Sequence, residues 1–150
     1  MRLRELMRTN LSRARRDTPF ADLIAAHRRR DSRLVYVEDE AGRLVGVVSC
    51  YDLLRAALPF YVDSGLARAL PEDDTVVRDG FAAACNDKTA GDVMTSRLVT
   101  VSPDDTVFAA EALFAEGRHN VLPVVDATGR VVGEVTRRTI LVVLAGSCGL

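Results

Sequence analysis

A serine and an aspartate three residues apart follow an apolar run in the first half of the chain. The run reads Gly-Val-Val-Ser-Cys-Tyr-Asp from Gly46 onward and predicts a buried strand that ends at Ser49, where a helix starts. The Ser49 hydroxyl can cap that helix, and the free N–H groups at its positive end attract a phosphate. Asp52 can accept two hydrogen bonds from a ribose diol, and Gly46 leaves room for a ligand or a second sheet. An ordinary helix cap uses the same residues, so a purely structural interpretation stays open.

An altered version of this pattern occurs 87 residues later. The sequence Gly-Glu-Val-Thr-Arg-Arg-Thr keeps the hydroxyl at Thr136 but has Thr139 where the aspartate belongs. A threonine cannot hold two ribose hydroxyls as a carboxylate can. Arg137 and Arg138 could neutralise phosphates there or be solvated, whereas Glu134 would repel an anion if it faced one. We expect one occupied site or two unequal ones.

Little in the sequence supports catalysis or a metal site. The histidines, His27 and His119, stand in no Ser-His-Asp or Cys-His pattern, although such sets need only spatial proximity. His27 falls on the apolar stripe of a predicted helix; His119 precedes a strand and could reach a phosphate or be solvated. Cys50, Cys85 and Cys148 show no Cys-x-x-Cys spacing, which favours neither a disulfide framework nor a metal site. We predict that the protein is not an enzyme.

Length and composition are typical of a small globular protein. The chain has 150 residues, 48% apolar and 27% charged, enough for one domain or two small halves. Its apolar runs are far shorter than the ~20 residues of a membrane span, and its first residues lack the apolar stretch of a secretory signal. Together with the cysteine pattern, this predicts a cytoplasmic protein without a membrane partner.

The charge is unevenly distributed although its sum is only −1. Residues 1–33 contain ten arginines and four acidic residues. A basic stretch of this kind could contact nucleic-acid phosphates, but a solvated helix face is the favoured interpretation, so we expect no nucleic-acid partner.

The chain repeats itself at an offset of 87 residues. Twelve of the 55 pairs from Leu3/Ala90 to Ala57/Leu144 are identical without a gap, and the Asp-x-x-Gly-Arg turn that begins at residue 39 recurs at residue 126. Glycines, aspartates and the apolar rhythm rarely stay in register by chance, so the chain is interpreted as a tandem duplication. We predict one compact module made of a first repeat, a helical inter-repeat segment and a second repeat, over residues 1–57, 58–89 and 90–150.

Each repeat predicts a strand, a helix, two strands and a second helix. The first extended piece is clearest in the second repeat, at residues 98–101. In the first repeat Thr18 is the predicted N-cap of the helix, with Pro19 at its first position, and Gly117 ends the equivalent helix. The near-continuous apolar strands that follow indicate burial on both faces. The hairpin strands and closing helices are predicted at residues 34–37, 44–49 and 51–57, and again at 121–125, 131–136 and 137–145.

The inter-repeat segment contains prolines and glycines but also a helical patch at residues 76–85. Thirty residues without regular structure would be unusual in so small a protein. We therefore predict a helical elaboration packed beside the repeats.

Two such repeats resemble a pair of cystathionine-β-synthase (CBS) domains, a Bateman module of the stand-alone bacterial type. The second repeat shows this best, with Gly-Asp-Val-Met-Thr at 91–95, Val-Thr-Val-Ser-Pro-Asp-Asp-Thr at 99–106 and Leu-Pro-Val-Val-Asp at 122–126. The first repeat is a degraded version. ACT domains, the main rival, would need a further strand after the second helix. The resemblance covers about residues 3–57 and 90–145.

The resemblance implies an α/β (α+β) fold in which two βαββα repeats pack through their sheets about a pseudo-twofold axis and leave two clefts. Many members bind adenosine-type ligands there. In this family the cleft is marked by the motif Gly-h-h-Ser/Thr-x-x-Asp, where h is an apolar residue and x any residue. The resemblance therefore assigns Gly46, Ser49 and Asp52 to the cleft. By the same carry-over, the base would lie against Leu11, Ser12, Leu34, Val35 and Tyr36 in the first repeat and against Thr100, Val101, Val121, Leu122 and Pro123 in the second. Tyr36 could stack on the base or belong to the core.

The function implied by the resemblance is regulation. The module would sense AMP, ADP, ATP or S-adenosylmethionine, require no cofactor, form a homodimer and signal in trans to an effector protein, because these 150 residues hold no effector domain. The alternative is a ligand-free dimeric scaffold whose clefts have decayed. Thr139 and the weak first strand of the first repeat favour this alternative.

Overall fold

The computed structural model describes residues 1–29, 33–69 and 75–150 of a mixed α+β protein. None of the described helices is long and apolar enough to cross a membrane. The elements in chain order are a 3₁₀ turn at Leu3–Glu5, β1 Ser12–Arg15, α1 Phe20–His27, β2 Leu34–Glu38, β3 Leu44–Ser49, α2 Cys50–Ala57, α3 Ser64–Ala69, α4 Thr75–Asp87, α5 Ala90–Val93, α6 Val107–Glu116, β4 Val121–Val125, β5 Val131–Thr136 and α7 Arg137–Ser147.

The predicted order of strand, helix, two strands and helix is confirmed in the first repeat, whereas the described residues of the second contain no strand between α5 and α6. In the first repeat β1, β2 and β3 form a sheet in that order; in the second, β4 and β5 form an antiparallel hairpin. The expectation that the first extended piece is clearest in the second repeat was wrong. Among residues 98–101, all of which the structure describes, only Val101 pairs with a strand: it forms a single parallel bridge with Val124. Pro103 follows two residues later and has no N–H with which to extend the ladder.

The start of α1 also departs from the prediction. Pro19, and not Thr18, is the N-cap residue, and the Thr18 hydroxyl accepts a hydrogen bond from the Arg15 N–H at 2.9 Å. At the equivalent position of the second repeat, Thr106 caps α6 by accepting from the Ala109 N–H at 3.1 Å. The first repeat therefore has a proline where the second has a capping hydroxyl.

Other predicted boundaries agree within two residues. Gly117 ends α6 as predicted, α2 starts one residue earlier than expected, and α7 extends two residues further. The helical patch at 76–85 lies within α4, and α3 precedes it. Residues 70–74 of the predicted helical segment lie outside the described residues.

The first strand of each hairpin is buried on both faces, as predicted. Val35, Tyr36 and Val37 follow one another in β2 and are at most 1% exposed. Successive side chains of a strand point to opposite faces, so both faces of β2 are covered. In β4, Leu122, Pro123 and Val124 are likewise buried in succession.

Two compact units divide the chain, and they do not follow its order. The first unit combines Met1–Leu11 and Glu38–Val45 with Arg97–Leu150; the second combines Ser12–Val37 with Gly46–Ser96. Each unit therefore contains the opening residues of one repeat and most of the sheet and helices of the other. We call Met1–Leu11 the first lead segment and residues 88–96 the second lead segment.

The two lead segments make equivalent contacts within their units. The Leu3 N–H donates to the Asp105 carbonyl at 2.9 Å, and the Ala90 N–H, 87 residues on, donates to the Thr18 carbonyl at 2.9 Å. Leu3 and Ala90 are both fully buried. The internal symmetry of the sequence thus extends to the docking of these segments.

A methionine of each lead segment lies against a glycine of the hairpin. A Cβ atom added at Gly133 would lie 2.6 Å from the Met7 Sδ and 3.1 Å from the Arg8 carbonyl oxygen. At Gly46 it would lie 2.5 Å from the Met94 Sδ. At each of these two glycines a methionine side chain lies so close to the strand that a larger residue would force it to move.

We expect Gly133→Ala to lower the free energy of unfolding by about 1–3 kcal/mol, because the methionine side chain and a backbone carbonyl must both move. Gly146→Ala is the matched control, since a Cβ there meets nothing within 4 Å. It lies inside α7, where alanine is favoured over glycine by roughly 0.5–1 kcal/mol. Urea unfolding measures both variants, and equal effects of the same sign would contradict the close approach at Gly133.

Candidate functional site

The serine and aspartate that begin α2 hold each other in a reciprocal cap. Asp52 Oδ2 accepts from the Ser49 N–H at 2.8 Å and from the Ser49 hydroxyl at 2.9 Å. The Asp52 N–H lies 3.3 Å from the Ser49 Oγ, to which it donates. The predicted cap is confirmed, and it fixes the Asp52 carboxylate at the N-terminal end of the helix.

The second carboxylate oxygen of Asp52 contacts a residue that the sequence analysis did not select. The Thr95 hydroxyl donates to Asp52 Oδ1 at 3.0 Å, and Thr95 is placed there because its backbone pairs with Val47 at 2.9 and 3.0 Å. A carboxylate has about four lone-pair positions, and these contacts use three. One acceptor position on Oδ1 remains for a further donor. The neighbouring Met94 recurs as Met7 at the 87-residue offset, and this identity is the sequence feature that could have drawn attention to the segment.

Asp52 lines a cavity of about 560 Å³ in the second unit. Arg55 and Lys88 bring positive charge to it, Asp92 a negative charge, and Phe60 an aromatic ring that is fully exposed. Its volume lies within the ~300–1,000 Å³ that is usual for small-molecule sites. Two of these residues, Phe60 and Lys88, belong to the inter-repeat segment, for which no site residue was predicted.

Asp92 is ionised in this cavity. The Thr89 N–H donates to its Oδ2 at 2.8 Å and, with the Thr89 hydroxyl at 3.0 Å, lowers the pKa of the carboxyl group. A hydrogen bond to the charged form favours that form. The cavity thus has two negative groups, Asp52 and Asp92, beside the positive groups Arg55 and Lys88, and the charge of Lys88 also contributes to the lowered pKa of Asp92.

Two of the residues expected to contact a base lie at a different cavity. Ser12 and Val35 line a space of about 270 Å³, together with Arg13 and Arg29. Tyr36 is fully buried, which favours the core interpretation over stacking on a base. Leu34, by contrast, is half-buried at the start of β2.

In the first unit, the equivalent helix start has hydroxyls in place of the carboxylate. Thr136 Oγ1 accepts from the Thr139 N–H at 3.1 Å, and the two hydroxyl oxygens are 3.0 Å apart. The Arg137 guanidinium donates to the Gly117 carbonyl at 3.0 Å, whereas Arg138 is exposed. Thr136 therefore caps α7, and Arg137 links the start of α7 to the end of α6.

The remaining predicted residues of the first unit lie on or beside its hairpin. Val121 pairs with Thr136, and the Val101 N–H donates to the Pro123 carbonyl at 3.0 Å. Leu122 and Pro123 are buried, Leu11 is half-buried and Thr100 is exposed.

In the first unit, the positions equivalent to Thr95 and Val47 are occupied by Arg8 and Glu134, which form an ion pair. Glu134 is only 3% exposed, and its Oε1 lies 3.4 Å from the Arg8 Nε. The backbones of Arg8 and Glu134 pair at 2.9 Å in both directions. The charge of Glu134 is thus balanced by the first lead segment.

No group of three or more His, Cys, Asp or Glu side chains that could hold a metal ion occurs among the residues that the structure describes. His119 lies half-buried beside Gly117, where a Cβ would come within 2.6 Å of its ring.

The CBS domain family model matches the chain twice, at residues 3–59 and 90–146. Over 112 residues the chain is 35% identical to the chloroplastic CBS domain-containing protein CBSX1 of Arabidopsis thaliana. This match covers 70% of the present chain and 47% of CBSX1, so the chain spans about half the length of that relative.

Solved structures with the same fold include two nucleotide complexes. CBSX2 of Arabidopsis thaliana in complex with AMP has a TM-score of 0.71 and 24% identity, and the match covers 97% of each chain. The cytosolic domain of the Mg²⁺ channel MgtE in complex with ATP has a TM-score of 0.64 and 26% identity. That match covers 92% of the present chain and 46% of the MgtE chain.

The contribution of the Arg8–Glu134 ion pair to stability can be tested by substitution. The replacing residues are those at the equivalent positions of the second unit, Thr95 and Val47. Arg8→Thr removes the positive charge beside buried Glu134 and should lower the free energy of unfolding by about 2–3 kcal/mol, somewhat less than for a fully buried pair because the Arg8 side chain is 39% exposed. The double variant Arg8→Thr/Glu134→Val reproduces the Thr95–Val47 pair and should return to within about 1 kcal/mol of the parent.

Denaturant unfolding of the single and double variants measures this coupling. If the effects of Arg8→Thr and Glu134→Val on the free energy of unfolding simply add in the double variant, the two side chains do not stabilise the protein through their ion pair.

Proposed function

The chain belongs to the CBS domain family as a tandem pair of CBS domains, and we propose that it is a regulatory module that senses an adenine nucleotide or a related adenosyl compound. The proposal rests on Asp52, whose carboxylate is held by Ser49 at the start of α2 and borders a cavity of suitable size. Its role is to bind a ligand and not to transform one.

The chemistry of the second unit suits a nucleotide. A ribose hydroxyl can donate to the remaining acceptor position on Asp52 Oδ1, and Thr95 can rotate its hydroxyl to admit a second one. Arg55 and Lys88 supply charge for phosphate oxygens. The exposed ring of Phe60 offers an apolar face to a base.

The two units are proposed to bind with unequal strength. The site in the second unit contains Asp52, whereas Thr139 at the equivalent position of the first unit has no carboxylate. The further candidates remain Gly46, Ser12, Leu34, Val35 and Tyr36 in the second unit, and Leu11, Thr100, Val101, Val121, Leu122, Pro123, Thr136, Arg137 and Arg138 in the first.

The comparisons support the ligand class. The MgtE cytosolic domain, at 26% identity, was solved with ATP, and CBSX2, which shares the fold, was solved with AMP. AMP, ADP, ATP and S-adenosylmethionine are therefore the ligands to test, as regulatory ligands and not as a required cofactor.

Signalling is proposed to occur in trans, through a homodimer and an effector protein. Phe108 on α6 and Leu141 and Val142 on α7 are exposed apolar side chains of the first unit that a second copy could cover. A ligand would bias the module through its different affinity for two conformations. The free thiols of Cys50, Cys85 and Cys148 suit a reducing compartment such as the cytoplasm.

A ligand-free dimeric scaffold is the alternative function. The features that favour it are Thr139 in place of the aspartate, the Arg8–Glu134 pair in the first unit, and an Asp52 carboxylate that already accepts three hydrogen bonds. In this case the site in the second unit would serve as a structural cap alone.

Asp52→Ala should weaken ATP or AMP binding by about 10–100-fold, the equivalent of losing charge-assisted hydrogen bonds worth about 1.5–3 kcal/mol. Isothermal titration calorimetry on the intact protein measures the affinity. Thr139→Ala is the matched control because it removes the residue at the same helix position of the other unit, and it should change the affinity less than threefold. Equal affinities for Asp52→Ala and the parent would rule out Asp52 as the ribose ligand.

Leu141→Glu should convert the dimer to a monomer, because it places a charge on the exposed apolar face of α7. Sedimentation velocity at a series of protein concentrations gives the oligomeric state, with Glu111→Gln on the exposed surface of α6 as the control. An unchanged dimer would show that this face is not the interface. A tight dimer that no nucleotide affects would favour the scaffold.

A further inference from the structure

A histidine and a cysteine that are far apart in the sequence meet in the second unit. His27 closes α1, and Cys50 is the first residue of α2. The Cys50 Sγ lies 3.5 Å from the His27 Nδ1, within the range of a sulfur hydrogen bond. His27 is half-buried, and Cys50 is exposed.

The other imidazole nitrogen determines which atom carries the proton. His27 Nε2 lies 3.1 Å from the Val48 carbonyl oxygen. Because a carbonyl can only accept, Nε2 must donate, and in the neutral ring Nδ1 is then the atom with the lone pair. That lone pair faces the Cys50 thiol and can take its proton.

Cys50 also occupies a helix start. Its position at the N-terminal end of an eight-residue helix places the sulfur at the positive end of the helix dipole. The negative group closest in sequence, Asp52, has its oxygens bonded to Ser49 and Thr95.

This pair is a feature of the first repeat and not of the duplicated scaffold. The positions 87 residues on are Phe114 and Arg137, and neither can act as a thiol or a base. The apolar face of α1 therefore needs no histidine at this position, and the first position of α2 needs no cysteine.

We propose that Cys50 is a thiol-modification site, activated by His27, that reacts with small-molecule disulfides. The Cys50 thiolate attacks one sulfur of the disulfide, a new S–S bond forms to Cys50 and the original S–S bond breaks. The departing thiolate takes up the proton that His27 Nδ1 received from Cys50. The products are one mixed disulfide and one free thiol, with no other oxidant. This site does not depend on nucleotide binding.

The test compares the cysteines within one molecule. Intact folded protein is treated with 5,5′-dithiobis(2-nitrobenzoate), and the modification of each cysteine is followed by peptide mass spectrometry. Cys148 is also exposed and has no histidine partner among the described residues. Cys50 should react at least about tenfold faster than Cys148, and the two rates should become equal in urea, where the pair is separated.

His27→Gln retains a donor for the Val48 carbonyl but has no base. It should lower the Cys50 rate about tenfold and leave the Cys148 rate unchanged, which an effect on the fold alone would not do. His27→Phe, with the side chain that the second repeat has here, provides a second variant should the first fail to fold. Equal rates for Cys50 and Cys148 in the parent, or an unchanged Cys50 rate in either variant, would overturn the proposal.

Discussion

The exchange of lead segments is the contact on which the rest of the structure depends. Met7 packs against Gly133 in the first unit and Met94 packs against Gly46 in the second, each too closely for a larger residue at the glycine. Leu3 and Ala90 are completely buried in the same arrangement. Each unit is therefore completed by residues from the start of the other repeat, and neither repeat, taken as a continuous piece of chain, contains all of its own core.

The exchange also determines what lies beside each helix start. In the second unit the lead segment brings the Thr95 hydroxyl to Asp52 and leaves an acceptor position on its carboxylate. In the first unit the equivalent residue is Arg8, which pairs with buried Glu134 near a helix start that has hydroxyls alone. One duplicated framework thus supports a carboxylate with an open acceptor position in one unit and a charge-paired contact in the other. Divergence at a few docking positions is sufficient to make the two units chemically different.

The sequence predicted those features that depend on neighbouring residues, and it missed those that depend on distant ones. The order of elements, the strands buried on both faces and the Ser49–Asp52 cap follow from apolar periodicity and local hydrogen bonding. Thr18 failed as an N-cap because Pro19 occupies the position that Thr106 holds in the second repeat. Three features could not be predicted: the contact of Thr95 with Asp52, the cavity beside Phe60 and the Cys50–His27 pair. Each requires segments more than 20 residues apart to pack together, and local periodicity does not indicate such packing.

The most direct test of the central claim is a thermal unfolding series of the intact protein with AMP, ATP, GTP and S-adenosylmethionine. A ligand at a hundred times its dissociation constant adds about 2.7 kcal/mol to stability, and each kcal/mol raises the Tm of a chain of this size by about 2–4 °C. Binding of an adenosyl ligand predicts a rise of several degrees with at least one adenosine-containing ligand and none with GTP. The absence of any shift across the series at millimolar concentration would contradict it.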